Sequence, residues 1–214
     1  MKKGMLITFE GGEAAGKTTQ IKRLVNYLKE KGLDVLGTKE PGGTVVGESI
    51  RNILLHTNFE ISDRAEALLL NASRCQLIAD VIEPALQEGK LVILDRFYDS
   101  TYAYQGFGGN LKQEDLKSII EFAIDGTVPD VTFLLDVDYD LSRMRKSADE
   151  KLRNLDRFEN KAREYHERVR NGFLTLAKQD PKRFVVIDAG LSEEKVFEII
   201  KNEVERRYKL LKSK

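Results

Sequence analysis

The chain has 214 residues, 41% of them hydrophobic and 33% charged, with 35 basic against 35 acidic side chains. That length and apolar fraction suit one globular domain, or two at most, and the balanced charge excludes a global basic field for nucleic acid. The single cysteine, Cys75, excludes an internal disulfide and fits a reducing compartment; with no signal h-region in MKKGMLITFE and no stretch near the ~18 apolar residues of a membrane span, a soluble cytoplasmic protein is expected.

The predicted elements alternate. Met5–Glu10 is an apolar strand that ends at a glycine-rich turn. Residues 17–31 follow as a helix with Ile21, Leu24, Val25 and Leu28 on one face, stopped at Gly32. A second strand is expected over 34–38 and a helix over Val45–His56. Ser62 can cap a long helix reaching Gly89, with Pro84 as its kink. The run 91–94 is a short apolar strand ending in Asp95. A helix marked by Leu116, Ile119, Ile120 and Ala123 precedes the strand 131–135, which ends in Asp136. An amphipathic helix over 158–178, a last strand over 184–187 and a closing helix capped by Ser192 complete the chain. Continuous apolar strands alternating with helices predict an α/β sandwich around five parallel strands, with ligands at the carboxyl ends of the strands.

The stretch FEGGEAAGKTTQ, residues 9–20, fits G-x-x-x-x-G-K-[ST] with Gly11, Gly16, Lys17 and Thr18 in the fixed places. It follows a predicted strand and opens a predicted helix, the context that separates a phosphate loop from a chance glycine-rich turn. Its backbone N–H groups and the helix N-terminus favour phosphate oxygens; Lys17 would reach the β- and γ-phosphates and Thr18 would hold Mg²⁺. Glu13 is the anomaly, a carboxylate in a loop built for an anion. A guanine-specific switch is disfavoured: Asn160-Lys161-Ala162-Arg163 lacks the aspartate of N-K-x-D, and the D-x-x-G at 34–37 lies inside a predicted strand.

Four further segments carry chemistry. In LDRFYDSTYAYQG (94–106), Asp95 stands where a strand-end carboxylate positions a metal, and Arg96 has the planar fork that binds two phosphate oxygens, although an Asp-Arg pair is also an ordinary surface ion pair. Tyr98, Tyr102 and Tyr104, with Ser100, Thr101 and Gln105, suit a base-and-sugar pocket or, equally, a core aromatic cluster. In KEPGGTVVGESIR (39–51), Pro41-Gly42-Gly43 is a tight turn at a strand end and Arg51 lies on the next helix. In LLLNASRCQ, Leu70 and Arg74 share a helix face and could sandwich a base, or be a core leucine beside a snorkelling arginine. Arg143, Arg145, Arg153, Arg157, Arg163, Arg168 and Arg170 form either a solvated face or a lid that lends cations to a transferring phosphoryl group. His56 and His166 lack any transition-metal spacing.

Together, FEGGEAAGKTT, KEPGGT, the R-x-x-L-L at Arg51, ALLLNASRCQL, LDRF-YDST-YAYQG, PDVTFLLDV and LDRFE resemble the bacterial thymidylate kinases of the P-loop nucleoside monophosphate kinase family, in order and over residues 4–190. The resemblance implies transfer of the ATP γ-phosphate to dTMP, with Mg²⁺, in a homodimer, without nucleic-acid or membrane partners. It implies ATP on Gly11, Gly12, Glu13, Ala14, Ala15, Gly16, Lys17, Thr18 and Thr19, and Mg²⁺ near Thr18 and Asp95. It implies Glu13 on the acceptor's 3′-hydroxyl, Arg51 and Arg96 on its phosphate, Arg74 on the thymine edge and Tyr104 under the deoxyribose; Pro41, Leu70, Thr101 and Gln105 would complete the dTMP site. The absence of an arginine at Ala14 and Ala15 resembles the subgroup that supplies the loop's cation from the lid, approximately 143–157, with Arg153 the first choice, Arg145 and Arg157 next, and Arg143 stacking on adenine. The catalytic group is then Lys17, Asp95, Arg96 and Arg153. Departures from the family pattern are Leu70, where phenylalanine is common, and Lys39, where arginine is common. The competing functions are a kinase for dUMP, UMP or AMP and a nucleotide-dependent switch or regulatory ATPase.

Overall fold

The structure is a computed structural model that describes residues 4–56, 60–148 and 162–212. In chain order the elements are β1 (Met5–Glu10), α1 (Lys17–Glu30), β2 (Val35–Lys39), α2 (Val45–His56), α3 (Asp63–Leu77), α4 (Glu83–Gln87), β3 (Leu91–Asp95), α5 (Tyr98–Thr101), α6 (Gln113–Ile124), β4 (Val131–Asp136), α7 (Tyr139–Ala148), α8 (Arg163–Gln179), β5 (Phe184–Asp188) and α9 (Glu193–Lys212).

The strands form one parallel sheet in the order β2-β3-β1-β4-β5. Side chains of a strand alternate between faces, so a strand covered on both sides must be apolar throughout. β1 obeys this: Met5, Ile7 and Phe9 join one buried cluster, with Leu24 and Leu28 of α1 and Val196, Ile200 and Val204 of α9. Leu6 faces the other way, into a cluster with Leu77, Ile82, Leu116 and Ile120 from the α3, α4 and α6 side. Val169, Phe173 and Ala177 of α8 cover the remainder of that face with Leu134. In the ladders Phe9 lies opposite Asp95, and Lys39 opposite Asp95, so β1, β2 and β3 end level. The crevice above them receives the site.

The expected helix over 62–89 is divided. Ser62 caps α3 by accepting the Ala65 N–H at 3.4 Å, with Asp63 and Glu66 in the first turn. A wide π-helical turn, Ile78–Ile82, then precedes α4, and the N–H of Glu83 reaches back to the carbonyl of Ile78. Pro84 is the cause: it has no N–H to offer and its ring opposes the carbonyl four residues earlier, so the chain widens ahead of it. The strand expected over 34–38 lies one residue later, and the described part of the helix expected over 158–178 starts at Arg163, residues 158–161 lying outside the described residues. Two elements had no periodic signal: α5 with the π-helical stretch Tyr102–Gly108 that continues it, and α7.

Candidate active site: a phosphate loop facing buried arginines

The loop between β1 and α1 is shaped by backbone. Gly11 has φ +132°, and a Cβ there would stand 2.4 Å from the carbonyl oxygen of Leu135, so no other residue fits. Gly16 enters α1 in the left-handed region; no side chain caps this helix and its first turn carries no acid, which leaves its N–H groups to an anion. The Lys17 ammonium folds over the loop and donates to the carbonyls of Gly11 and Gly12 at 3.2 and 2.9 Å. Burial, then repulsion from Arg96, lowers its pKa. Ala14 has φ +52°, Ala15 packs into the core, and Thr19 is exposed at the helix start. From α7, Ser142 donates to the carbonyl of Glu13 at 2.9 Å, and Arg145 to those of Ala14 and Ala189 at 3.3 and 2.6 Å.

The opposite wall is built from side chains. Arg74 is only 2% exposed. Its Nε donates to both carboxylate oxygens of Glu40 and its Nη2 to Glu40 at 2.7 Å and to Thr101 at 3.1 Å. Its Nη1 donates to Asn71 at 2.8 Å, which leaves one Nη1 hydrogen for the cleft. A guanidinium this deep needs a counter-charge, and Glu40 supplies it from the end of β2. Arg51 donates to the carbonyl of Pro41 at 2.9 Å, tying α2 to the turn after β2. Gln105 donates to Glu66 at 2.7 Å, and its own carbonyl oxygen has no hydrogen-bond partner among the described residues.

Glu13 joins the two walls. Its carboxylate takes a hydrogen bond from Arg96 at 2.5 Å and another from the Tyr104 hydroxyl at 2.9 Å. Burial works against its charge, yet Arg96, Lys17 and Lys146 outweigh it and hold the pKa at about 2. Arg96 follows Asp95 in a left-handed conformation, φ +70°, and its guanidinium lies 4.9 Å from the Tyr104 ring centre. Its Nη1 donates to the Gly11 carbonyl and to Ser100, both at 3.1 Å. Beside it the Thr18 hydroxyl donates to Asp95 at 3.1 Å.

These groups line a cleft of about 850 Å³ that runs from Glu13, Ala14, Ala15, Gly16, Lys17, Thr18 and Thr19 to Pro41, Arg51, Leu70, Arg74, Asp95, Arg96, Thr101, Tyr104 and Gln105. Arg145 also lines it, whereas Arg143 lines a second cavity of about 260 Å³ with Gly12 and the other side of Glu13. Arg153 and Arg157 lie outside the described residues. The tyrosines divide: Tyr98 and Tyr102 pack in the core and only Tyr104 lines the cleft. Sequence reasoning missed Glu40 and Glu10, whereas Ser100, named there for the base-and-sugar pocket, does line the cleft. The acid before the Pro-Gly-Gly turn was the available signal for Glu40, since an arginine on an apolar helix face implies a buried partner.

Comparison with known proteins agrees with this arrangement. The family model described as thymidylate kinase matches residues 9–200. A thymidylate kinase of Chlorobium luteolum is 43% identical over 96% of this chain and 99% of its own length. One of an Exiguobacterium species is 47% identical over 89% of each chain. The crystal structure of thymidylate kinase from Ehrlichia chaffeensis superposes with a TM-score of 0.74 at 36% identity, covering 92% of this chain and 97% of that one. With a glycine-shaped loop at an uncapped helix start, a second wall carrying Arg51, Arg74 and Arg96, and a match along nearly its full length, the chain belongs to the thymidylate kinase family.

Proposed function

We propose that ATP lies on the loop 11–19, that dTMP lies against Pro41, Arg51, Leu70, Arg74, Arg96, Thr101, Tyr104 and Gln105, and that the products are dTDP and ADP. The observation that carries this reading is the bond of Glu13 to both Arg96 and Tyr104. It turns the loop's one carboxylate away from the phosphates and toward the second substrate, where it can accept a hydrogen bond from a sugar hydroxyl.

An oxygen of the dTMP phosphate forms the new bond to the γ-phosphorus, and ADP leaves with the electron pair of the broken one. That oxygen is already anionic, so no strong base is required. Lys17, Arg96 and a lid arginine stabilise the charge that spreads over the transferring group. The adjacent hydroxyl of Thr18 and carboxylate of Asp95 fit Mg²⁺, a hard cation that keeps water and phosphate oxygens beside one or two protein ligands. Among the described residues no group of three acidic, His or Cys side chains could hold a metal without such help. When bound, Mg²⁺ neutralises charge on the phosphates.

Arg145 borders the cleft beside Ala189 and Leu191, so we assign it the adenine side first given to Arg143. Arg153 remains our lid cation, in a lid over 143–157: Arg153→Ala should lower kcat far more than dTMP affinity, and an unchanged kcat would move the role to Arg145 or Arg157. Leu70 gives thymine apolar contact without an aromatic face. A homodimer is supported by Leu68 and Phe122, exposed by 56% and 85% on the packed helices α3 and α6. A cytoplasmic site is supported by the composition.

ADP release measured with dTMP, dUMP, UMP and AMP tests the reading. The highest kcat/KM is expected for dTMP. Preference for AMP or UMP would overturn the acceptor assignment, and hydrolysis unaffected by any monophosphate would support the switch instead.

A further inference from the structure

Glu10 closes β1 and is fully buried. Strand alternation turns it to the face opposite Phe9, away from α1 and toward the segment that leaves β3. There one carboxyl oxygen accepts the N–H of Phe97 at 2.8 Å and the other accepts the Ser100 hydroxyl at 2.6 Å. Both partners follow Arg96, within the next four residues. The Arg96 N–H is itself tied to the Phe9 carbonyl at 2.9 Å, so the last two residues of β1 hold two consecutive N–H groups of this turn. Ser100 then accepts from the Arg96 Nη1 at 3.1 Å. A left-handed arginine is a costly conformation that persists only where its surroundings over-determine it.

We propose that Glu10 is a positioning residue for Arg96: it fixes the turn through Phe97 and orients the Ser100 hydroxyl that aims the guanidinium into the cleft. This deepens the function proposed above and rests on Arg96 binding the phosphate of dTMP. Burial and then the nearby Asp99 push the Glu10 carboxyl up to about 8, against the pull of Arg96, Ser100 and Phe97.

The test is a double-mutant cycle on substrate binding at about pH 9, where Glu10, raised to about 8, is ionised and can only accept from Ser100, read by calorimetry with dTMP and, separately, with a non-hydrolysable ATP analogue. Glu10→Gln keeps an acceptor for Phe97 but presents an amide N–H to Ser100, which then competes with Arg96. It should weaken dTMP about tenfold and leave the ATP analogue within about twofold. In an Arg96→Ala background the same change should cost less than about twofold. Ser100→Ala should behave alike, and carries the test if Glu10→Gln fails to fold. The proposal is overturned if the Glu10 effect persists in full without Arg96, if dTMP and the ATP analogue weaken equally, or if dTMP binding is unchanged. Should Arg96→Ala alone leave dTMP affinity intact, the phosphate role of Arg96 fails and this inference with it. A loss on Arg96→Ala that adds independently to that of Glu10→Gln defeats the positioning role alone.

Discussion

The two walls of the cleft are held by different kinds of bond. The loop wall is contiguous in sequence and made of main chain: glycines in left-handed conformations, a helix start without a cap, and a lysine resting on carbonyls. The opposite wall is gathered from β2, α2, α3 and the segment after β3, and is made of charged side chains satisfied in pairs: Arg74 with Glu40, Arg96 with Glu13, and behind them Arg183 with Asp99 at 2.6 Å. A phosphate loop needs only N–H groups aimed at one point, which local backbone provides. A wall of side-chain donors needs them fixed in direction, and a buried charged donor must be balanced by its own counter-charge. The first wall is therefore sensitive to glycine and the second to the loss of either partner of a pair.

That difference can be broken from either side. Lys17→Ala should lower kcat on the order of 10³-fold in an ADP-release assay while dTMP affinity stays within about threefold; a collapse of dTMP binding would mean that the walls are one unit. Glu40→Gln leaves Arg74 buried without its counter-charge and should cost about 3–5 kcal/mol in urea unfolding. Glu13→Ala should raise the KM for dTMP about tenfold and that for ATP little, since it removes hydrogen bonds to charge on one side only. Equal losses would make Glu13 a shaper of the loop. The smallest effect is in pH. The Glu10 carboxyl, raised to about 8, favours the folded state below its ordinary 4.5, and that contribution is lost as pH rises toward 8. Glu13, held at about 2, stabilises above 4.5, and its contribution is lost as pH falls toward 2. Melting scans of Glu10→Gln should therefore lose part of the decline in Tm between pH 5 and 8 while keeping the acid limb.

Local features were legible in the letters. The loop, the sheet's strands and the cap at Ser62 depend on neighbours in sequence, and each stands within a residue or so of its expected place. Long-range pairing was not legible. Arg74 was named for its ligand, but its bond to Glu40 spans 34 residues and only the sheet brings them together. Facing was lost wherever a helix had no apolar period. Residues two apart on a helix point to nearly opposite sides, so Arg143 and Arg145 open onto different cavities once α7 is recognised as a helix. The aromatic run divides by the same rule. Tyr98 and Tyr102 share a face and an edge contact at 6.4 Å, and Tyr104 falls on the other side.

Ser142 and Arg145 grip the loop by the carbonyl oxygens of Glu13 and Ala14, not by their side chains. A grip on main chain is blind to which residue it holds. The seam between the loop and α7 can thus be inherited through substitutions at position 14, and a graft of this loop with its helix into a relative would carry its own alignment along.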